Sequence, residues 1–353
     1  MVTGFMYSFL NDYSEGAHPK ILDMLCKSNL EQTPGYGVDP YWDRARALIL
    51  NAIGRQDVDV HFLVGGTQTN MTAIAAFLRP HQAALAAVSG HINVHETGAI
   101  EATGHKVMPL PSDDGKITAE QIEACVLGHR NDPTFEHITQ PKLVYISDST
   151  EVGTVYTKSE LRAISEVCKR LDLILFVDGA RLGSALTSAQ NDLTLADLAE
   201  LCDAFYIGGT KCGALFGEAV VIANPQLKPD FRYSIKQNGG MLAKGRLLGI
   251  QFLTLFEDDL YYDICRSANE QAYRIAEACR EAGFPFFAES PTNQQFPIFP
   301  NRLLDRLKEK YVYSTWAKVD EGHTAIRLCT SWATRDEAVE QLTADIRALG
   351  KEL

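Results

Sequence analysis

The chain has 353 residues, of which 46% are apolar and 22% charged, an ordinary composition for a globular protein of about two domains. Its 33 Lys and Arg against 45 Asp and Glu leave a net charge of −12, which argues against nucleic acid and anionic membrane surfaces as general partners but allows a local basic pocket for a small anion. No apolar run approaches the roughly 18 residues of a membrane span, no basic segment precedes a long apolar one at the N-terminus, and the eight cysteines are scattered without zinc or redox spacing, so a cytoplasmic protein with free thiols is expected.

Residues 1–40 are turn-rich (Asn11–Asp12, Pro34–Gly35, Asp39–Pro40) and read as an arm rather than a domain. From 41 to 245, short apolar runs alternate with amphipathic ones. Strands are predicted at 58–64, 85–88, 142–147, 173–178, 204–207 and 219–223, because continuous apolar runs of this length suit strands buried on both faces. Helices are predicted between them at 69–78, 118–127, 158–170 and 193–200, with Ser159 ahead of Glu160 opening the third and Thr194 capping the fourth. This alternation predicts a doubly wound α/β layer with a mostly parallel sheet. The rhythm then changes. Helices at 247–256 and 263–281, the second stopped by Gly283 and Pro285, a strand at 324–329 and a last helix from Arg335 predict a smaller α+β domain over 246–353.

Four segments carry residues suited to chemistry. Gly65 and Gly66, followed by Thr67, Gln68, Thr69 and Asn70, lie between a strand and a helix, where close backbone approach and free N–H groups suit a phosphate. The pattern is neither a dinucleotide fingerprint nor a P-loop. Asp178 ends an apolar strand and Arg181 follows three residues later, at the sheet edge where open parallel sheets place their ligands. Lys211 sits in Gly208–Gly209–Thr210–Lys211–Cys212–Gly213, just past another strand, and a desolvated lysine there is an amine nucleophile. His91 and His95, four apart with Glu96 adjacent, allow a metal site on a helix. A metal-dependent hydrolase is therefore an alternative class, but no matching cluster occurs elsewhere and no metal is expected. Pyridoxal phosphate needs a phosphate cradle, an acid for its ring nitrogen, a lysine for its aldehyde and an aromatic face. Gly66–Thr67, Asp178, Lys211 and His91 offer one of each.

The ordered motifs resemble the threonine aldolase and β-eliminating lyase family of fold-type-I pyridoxal-phosphate enzymes. Phe9–Leu10–Asn11–Asp12–Tyr13 resembles the family's F-R-S-D-T, Gly35–Tyr36–Gly37–Val38–Asp39–Pro40 its Y-G-x-D-P, and Gly66–Thr67–Gln68–Thr69–Asn70 its G-T-x-x-N. His91–Ile92 with Glu96 resembles H-I-x-x-x-E, Asp178–Gly179–Ala180–Arg181 matches D-G-A-R, and Gly209–Thr210–Lys211 stands at the family's cofactor-bearing lysine. Ala325–Ile326–Arg327–Leu328 resembles the strand whose arginine holds the substrate carboxylate. Where the family has E-N-T-H, this chain has Asp148–Ser149–Thr150–Glu151, closest to the phenylserine-aldolase branch, so an acid replaces a histidine near the substrate hydroxyl.

The resemblance implies a fold-type-I α/β architecture and pyridoxal 5'-phosphate as cofactor. It implies retro-aldol cleavage of a β-hydroxy-α-amino acid such as threonine, allo-threonine or phenylserine to glycine and an aldehyde. Gly66, Thr67, Gln68, His91, Asp178, Arg181, Thr210 and Lys211 would hold the cofactor. Asn11, Arg181 and Arg327 would hold the substrate. His95, Glu151 or a water they hold would take the β-hydroxyl proton. Another β-eliminating lyase would share these residues. The family pattern also implies a homo-oligomer, with Lys236 or Lys244 reaching a phosphate across a subunit boundary.

Overall fold

The computed structural model describes residues 6–352, so the first five residues of the predicted arm lie outside the described residues. The central sheet has seven strands in the order Asp59–Leu63, Glu218–Ile222, Ala204–Gly208, Ile174–Asp178, Gln140–Ser147, Gln82–Ala87, Lys106–Leu110. Neighbours pair in parallel except around Glu218–Ile222, which runs against both of its partners. The strand Lys106–Leu110 was not anticipated. It is an edge strand with a mixed burial pattern and a proline at 109, so it lacks the continuous apolar run that marks its neighbours.

The helices between these strands begin at local signals. Thr118, Thr157 and Thr194 each form a capping box, with Gln121, Glu160 and Asp197 respectively. The third predicted helix therefore starts at Lys158, as expected, with Thr157 as its cap and Ser159 inside its first turn. Helices cover both faces of the sheet. On one face Phe62 stacks on Phe252 with ring centroids 4.9 Å apart, and the Trp42 indole N–H donates to the Gly245 carbonyl at 2.7 Å. That contact joins the helix Pro40–Ile53 to the helix Arg246–Phe256. Each fully buried ring of this kind contributes about 1.5–3 kcal/mol.

A second, antiparallel sheet has the order Ser314–Lys318, His323–Cys329, Gln294–Pro300, Phe286–Ala288. The long helix Leu260–Glu281 and the last helix Asp336–Gly350 pack against it around Ile275, Phe299, Ile326 and Val339. Only the strand nearest 324–329 was legible in advance, because Phe286–Ala288 and Ser314–Lys318 are short and mostly half-exposed, and the buried Gln294–Pro300 carries two glutamines and two prolines in place of a continuous apolar run. The arm holds a helix, Pro19–Lys27, capped by the His18 ring. Its residues Tyr7–Ser8 pair in parallel with Tyr311–Val312, and Phe9 is wholly buried in the core of the small sheet. Among the described residues no helix is long and apolar enough to cross a membrane.

His61, in the first strand of the central sheet, packs on Phe231 at 5.2 Å, and among the described residues neither of its ring nitrogens has a hydrogen-bond partner. Burial pushes its pKa down to about 4, and the Asp59 carboxylate, 4.0 Å away, offsets this only in part. Below the ordinary histidine value the unfolded chain therefore binds a proton that the folded chain does not. Stability falls from about pH 6.5 to about pH 4 and levels off beneath that. His61→Leu is expected to flatten this part of the profile, measured as urea midpoints between pH 7.5 and 4; an unchanged slope would refute it.

Candidate active site

The carboxyl ends of the parallel strands open onto a cavity of about 560 Å³. Its walls come from four parts of the chain: the strand exits of the central sheet, the helix entry at Gly65–Thr67, Tyr13 from the arm, and Trp316 and Arg327 from the small sheet. Chain-distant groups meet here because parallel strands all end at one edge.

Asp178 is 4% exposed. Its Oδ1 accepts from the Ala180 N–H at 2.9 Å, and its Oδ2 accepts from Asn70 Nδ2 at 3.0 Å and from the Tyr145 hydroxyl. Burial pushes its pKa up, but the His91 ring and these donors outweigh it, so the carboxyl stays below the ordinary range. Tyr145 moves the other way: burial, then Asp178, raise its hydroxyl well above the usual value and keep it a donor.

Lys211 reaches the cavity from a tight loop. The Gly209 and Thr210 N–H groups both donate to the Gly217 carbonyl, at 2.9 and 3.1 Å. A Cβ at Gly209 would lie 2.7 Å from that carbonyl oxygen, so no other residue fits there. Burial and the Arg181 charge lower the pKa of Lys211, and three nearby acids, Asp12, Asp178 and Glu218, work against them. Among the described residues its Nζ makes no hydrogen bond or ion pair. Glu218, 2% exposed, accepts from Thr210 Oγ1 at 2.8 Å and the Gly209 N–H at 3.1 Å, and burial raises its pKa.

The helix Gly66–Phe77 points its first turn at the cavity, and no side chain caps it, since Gly65 occupies the cap. Its leading N–H groups stay free for an anion. Thr67 lines the cavity. The Gln68 side chain turns elsewhere, accepting from the Val64 N–H and donating to the Asn238 carbonyl, each at 3.1 Å, and Gln68 does not line the cavity. Thr210 lines the wall through its contact with Glu218.

His91 lines the cavity; its ring Nδ1 lies 2.7 Å from Glu96 Oε1, and its backbone N–H donates to Glu151 Oε1 at 2.9 Å. Glu151 also accepts from Ser147 Oγ at 2.8 Å, and burial raises its pKa. His95 stands at the mouth, its pKa lowered by burial, then by His91 and Arg327. Arg327 is held beside Trp316 by two long hydrogen bonds, to Gln294 Oε1 at 3.3 Å and the Leu10 carbonyl at 3.2 Å.

One residue expected to hold the substrate is placed differently. Asn11 does not line the cavity. Its Oδ1 accepts from the Tyr13 N–H at 2.9 Å and Ser14 Oγ at 3.0 Å, so it shapes the turn that presents Tyr13. Neither Lys236 nor Lys244 lines the cavity of its own chain, and Lys236 lies over the Tyr36 ring at 4.7 Å. Tyr145, Ser147, Glu218, Tyr13 and Trp316 escaped the sequence reading. Glu218 carried a signal, an acid opening the apolar run Glu-Ala-Val-Val-Ile. Trp316 carried none. Among the described residues no group of three or more His, Cys, Asp or Glu side chains is placed to hold a metal ion.

These donors suit pyridoxal phosphate: an uncapped helix start for an anion, an unpartnered amine, and a buried carboxylate that stays charged. Residues 12–349 match the beta-eliminating lyase family. The chain belongs to that family. It is 30% identical to the low specificity L-threonine aldolase of a Pseudomonas species over 97% of each chain. The solved threonine aldolase of Leishmania major superposes with a TM-score of 0.95 at 48% identity, covering 98% of this chain and 99% of that one. A single mutant of Thermus thermophilus aspartate aminotransferase superposes at a TM-score of 0.71 with 12% identity over 98% of this chain and 92% of its own, a likeness of fold alone. The architecture of this beta-eliminating lyase family member is thus the fold-type-I α/β fold expected from its sequence.

Beneath the cavity Arg181 forms a two-pronged pair with Asp12, Nε to Oδ2 at 2.7 Å and Nη2 to Oδ1 at 3.0 Å. Asp12 is 1% exposed; burial raises its pKa, but Arg181 outweighs it and holds the carboxyl at about 2. Asp12→Ala leaves a buried guanidinium uncompensated and is expected to cost about 3–5 kcal/mol of unfolding free energy. Chemical denaturation checks this; a loss under 1 kcal/mol would show the pair to be dispensable.

Proposed function

We propose that this protein cleaves β-hydroxy-α-amino acids of the threonine, allo-threonine or phenylserine type to glycine and an aldehyde, with pyridoxal 5'-phosphate as cofactor. One observation carries the reading: an amine with lowered pKa, Lys211, and a buried ionised carboxylate, Asp178, share one cavity with a guanidinium from the other sheet, Arg327. The threonine aldolase names of the relatives support it. Bound pyridoxal phosphate supplies an electron sink for the Cα–Cβ bond that breaks.

The residues divide the remaining work. Lys211, its pKa lowered by burial and by Arg181, is the nucleophile that would hold the cofactor aldehyde. Asp178 holds a proton on the ring nitrogen. The N–H groups of Gly66, Thr67 and Gln68 and the Thr67 hydroxyl receive the phosphate, Thr210 steadies the lysine loop, and His91 presents its imidazole to the ring. Arg327 grips the substrate carboxylate, with the Nη1 of Arg181 that Asp12 leaves free, and so sets which Cα bond is aligned to break. Glu151 or His95, or a water between them, takes the β-hydroxyl proton. Burial raises the Glu151 carboxyl, which strengthens it as a base, and lowers the His95 imidazole, which favours the neutral ring that can accept a proton. Asn11 acts through the turn that carries Tyr13.

We divide the chain into an arm (1–40), a large domain (41–245) and a small domain (246–353), and infer a cytoplasmic homo-oligomer. The free state of all eight cysteines supports the compartment. The exposure of Leu30, Val38 and Tyr233, at 91%, 59% and 77%, supports a subunit contact.

Lys211→Ala is expected to abolish covalent capture of the cofactor and nearly all turnover. Borohydride reduction followed by peptide mapping checks this, and a cofactor still fixed in the variant would move the anchor to another lysine. Arg327→Lys is expected to bind the cofactor with its normal absorbance but to lose about 10²- to 10⁴-fold in kcat/KM, since lysine lacks the planar fork and charge-assisted hydrogen bonds are worth about 1.5–3 kcal/mol each. A wild-type kcat/KM in that variant would assign the carboxylate to Arg181 alone.

A further inference from the structure

One side-chain nitrogen joins Asp178, in the cavity wall, to Glu96, a buried acid that does not itself line the cavity. Asn70 Nδ2 donates to Asp178 Oδ2 at 3.0 Å and to Glu96 Oε1 at 2.7 Å, which uses both of its hydrogens. The same Glu96 oxygen lies 2.7 Å from His91 Nδ1. Asn70 is fully buried and Glu96 is 6% exposed, so bulk water does not screen the two carboxylates from each other. The amide orientation follows from this chemistry, because an amide oxygen in that place would face two carboxylate oxygens. The arrangement is kept although, among the described residues, Asn70 Oδ1 and Glu96 Oε2 are buried without hydrogen-bond partners. Few side chains meet the requirement. Aspartate would present acceptors to acceptors, and leucine would fill the volume without donating.

We propose that Asn70 is a positioning residue that braces Asp178 and the Glu96–His91 pair into one unit. The carboxylate for the ring nitrogen and the imidazole for the ring face then move together or not at all. Glu96 takes the Nδ1 side of His91, which fixes the ring's rotation and leaves Nε2 as its remaining polar atom. The brace joins the helix Gly66–Phe77, the end of the strand Ile174–Asp178 and the segment after the helix His91–Val94, three elements that share no sheet pairing with one another. This inference rests on the reading of Asp178 and His91 given above.

The test compares Asn70→Ala, Glu96→Ala, the double variant and Glu96→Gln, each loaded with pyridoxal phosphate. The readouts are the visible circular dichroism of the bound cofactor and the pH midpoint of its absorbance band, with the melting temperature of the cofactor-free protein as the structural control. Each alanine variant is expected to lower the dichroic amplitude at least twofold and to shift the midpoint. The double variant should match the stronger single, because both break one brace. Glu96→Gln keeps the accepting oxygen and should hold the wild-type amplitude. Additive single effects, wild-type spectra in Asn70→Ala, or a Glu96→Gln spectrum like that of Glu96→Ala would each overturn the brace. If Asn70→Ala fails to fold, the Glu96 pair alone decides. A wild-type protein that captures no cofactor would sink the functional reading itself, whereas one that captures it and cleaves substrate with additive variants would sink only the brace.

Discussion

A carboxylate must stay charged where water scarcely reaches it, and the rest of the site follows from how Asp178 meets that condition. Desolvation favours the neutral acid, so the charge survives only if donors are already aimed at both oxygens. The Ala180 N–H, Asn70 and the Tyr145 hydroxyl supply them. Each donor comes from a different element, and each element must be held in turn. The turn after Asp178 is fixed by close backbone contact: a Cβ at Gly179 would fall 1.8 Å from the Tyr206 carbonyl oxygen. Tyr145 is held by the neighbouring parallel strand, where it pairs with Phe176. An arrangement of this kind costs stability to build, and the apolar layers on both faces of the sheet offset that cost.

The second constraint is that charges of both signs share one cavity without collapsing onto one another. Arg181 is prevented from pairing with Asp178 by its two-pronged engagement with Asp12. Asp12 in turn is held by Asn293 at 3.0 Å, next to the small sheet. The arm is therefore a structural part of the site and not an appendage. It brings Asp12 beneath the cavity, Tyr13 to its wall and the Leu10 carbonyl to Arg327. Lys211 is left as an amine without a committed partner, which is what a nucleophile needs.

Much of this was legible in the sequence, for a specific reason. Parallel strands buried on both faces leave long apolar runs, and the residues just after those runs, at Gly66, Asp178 and Lys211, are the ones the sheet edge gathers. The strand exits thus show both the fold and half of the cavity wall. What stayed hidden comes from elsewhere. Trp316 lies in a short, half-exposed strand with no distinctive pattern. Tyr145 sits inside a run that reads as core and Glu218 stands just ahead of one, and only three-dimensional pairing shows which way they face. Asp12 and Asn11 stand side by side in one turn-rich segment. Only the fold distinguishes the buried partner of Arg181 from the residue that shapes the turn.

The central claim concerns which bond breaks, since a β-eliminating lyase would use the same anchors for a different cleavage. Quantifying products from protein loaded with pyridoxal phosphate and given threonine, allo-threonine and phenylserine addresses it directly. The account predicts glycine and the matching aldehyde in equal amounts from at least one of them. Ammonia and a 2-oxo acid in place of glycine and aldehyde would contradict it.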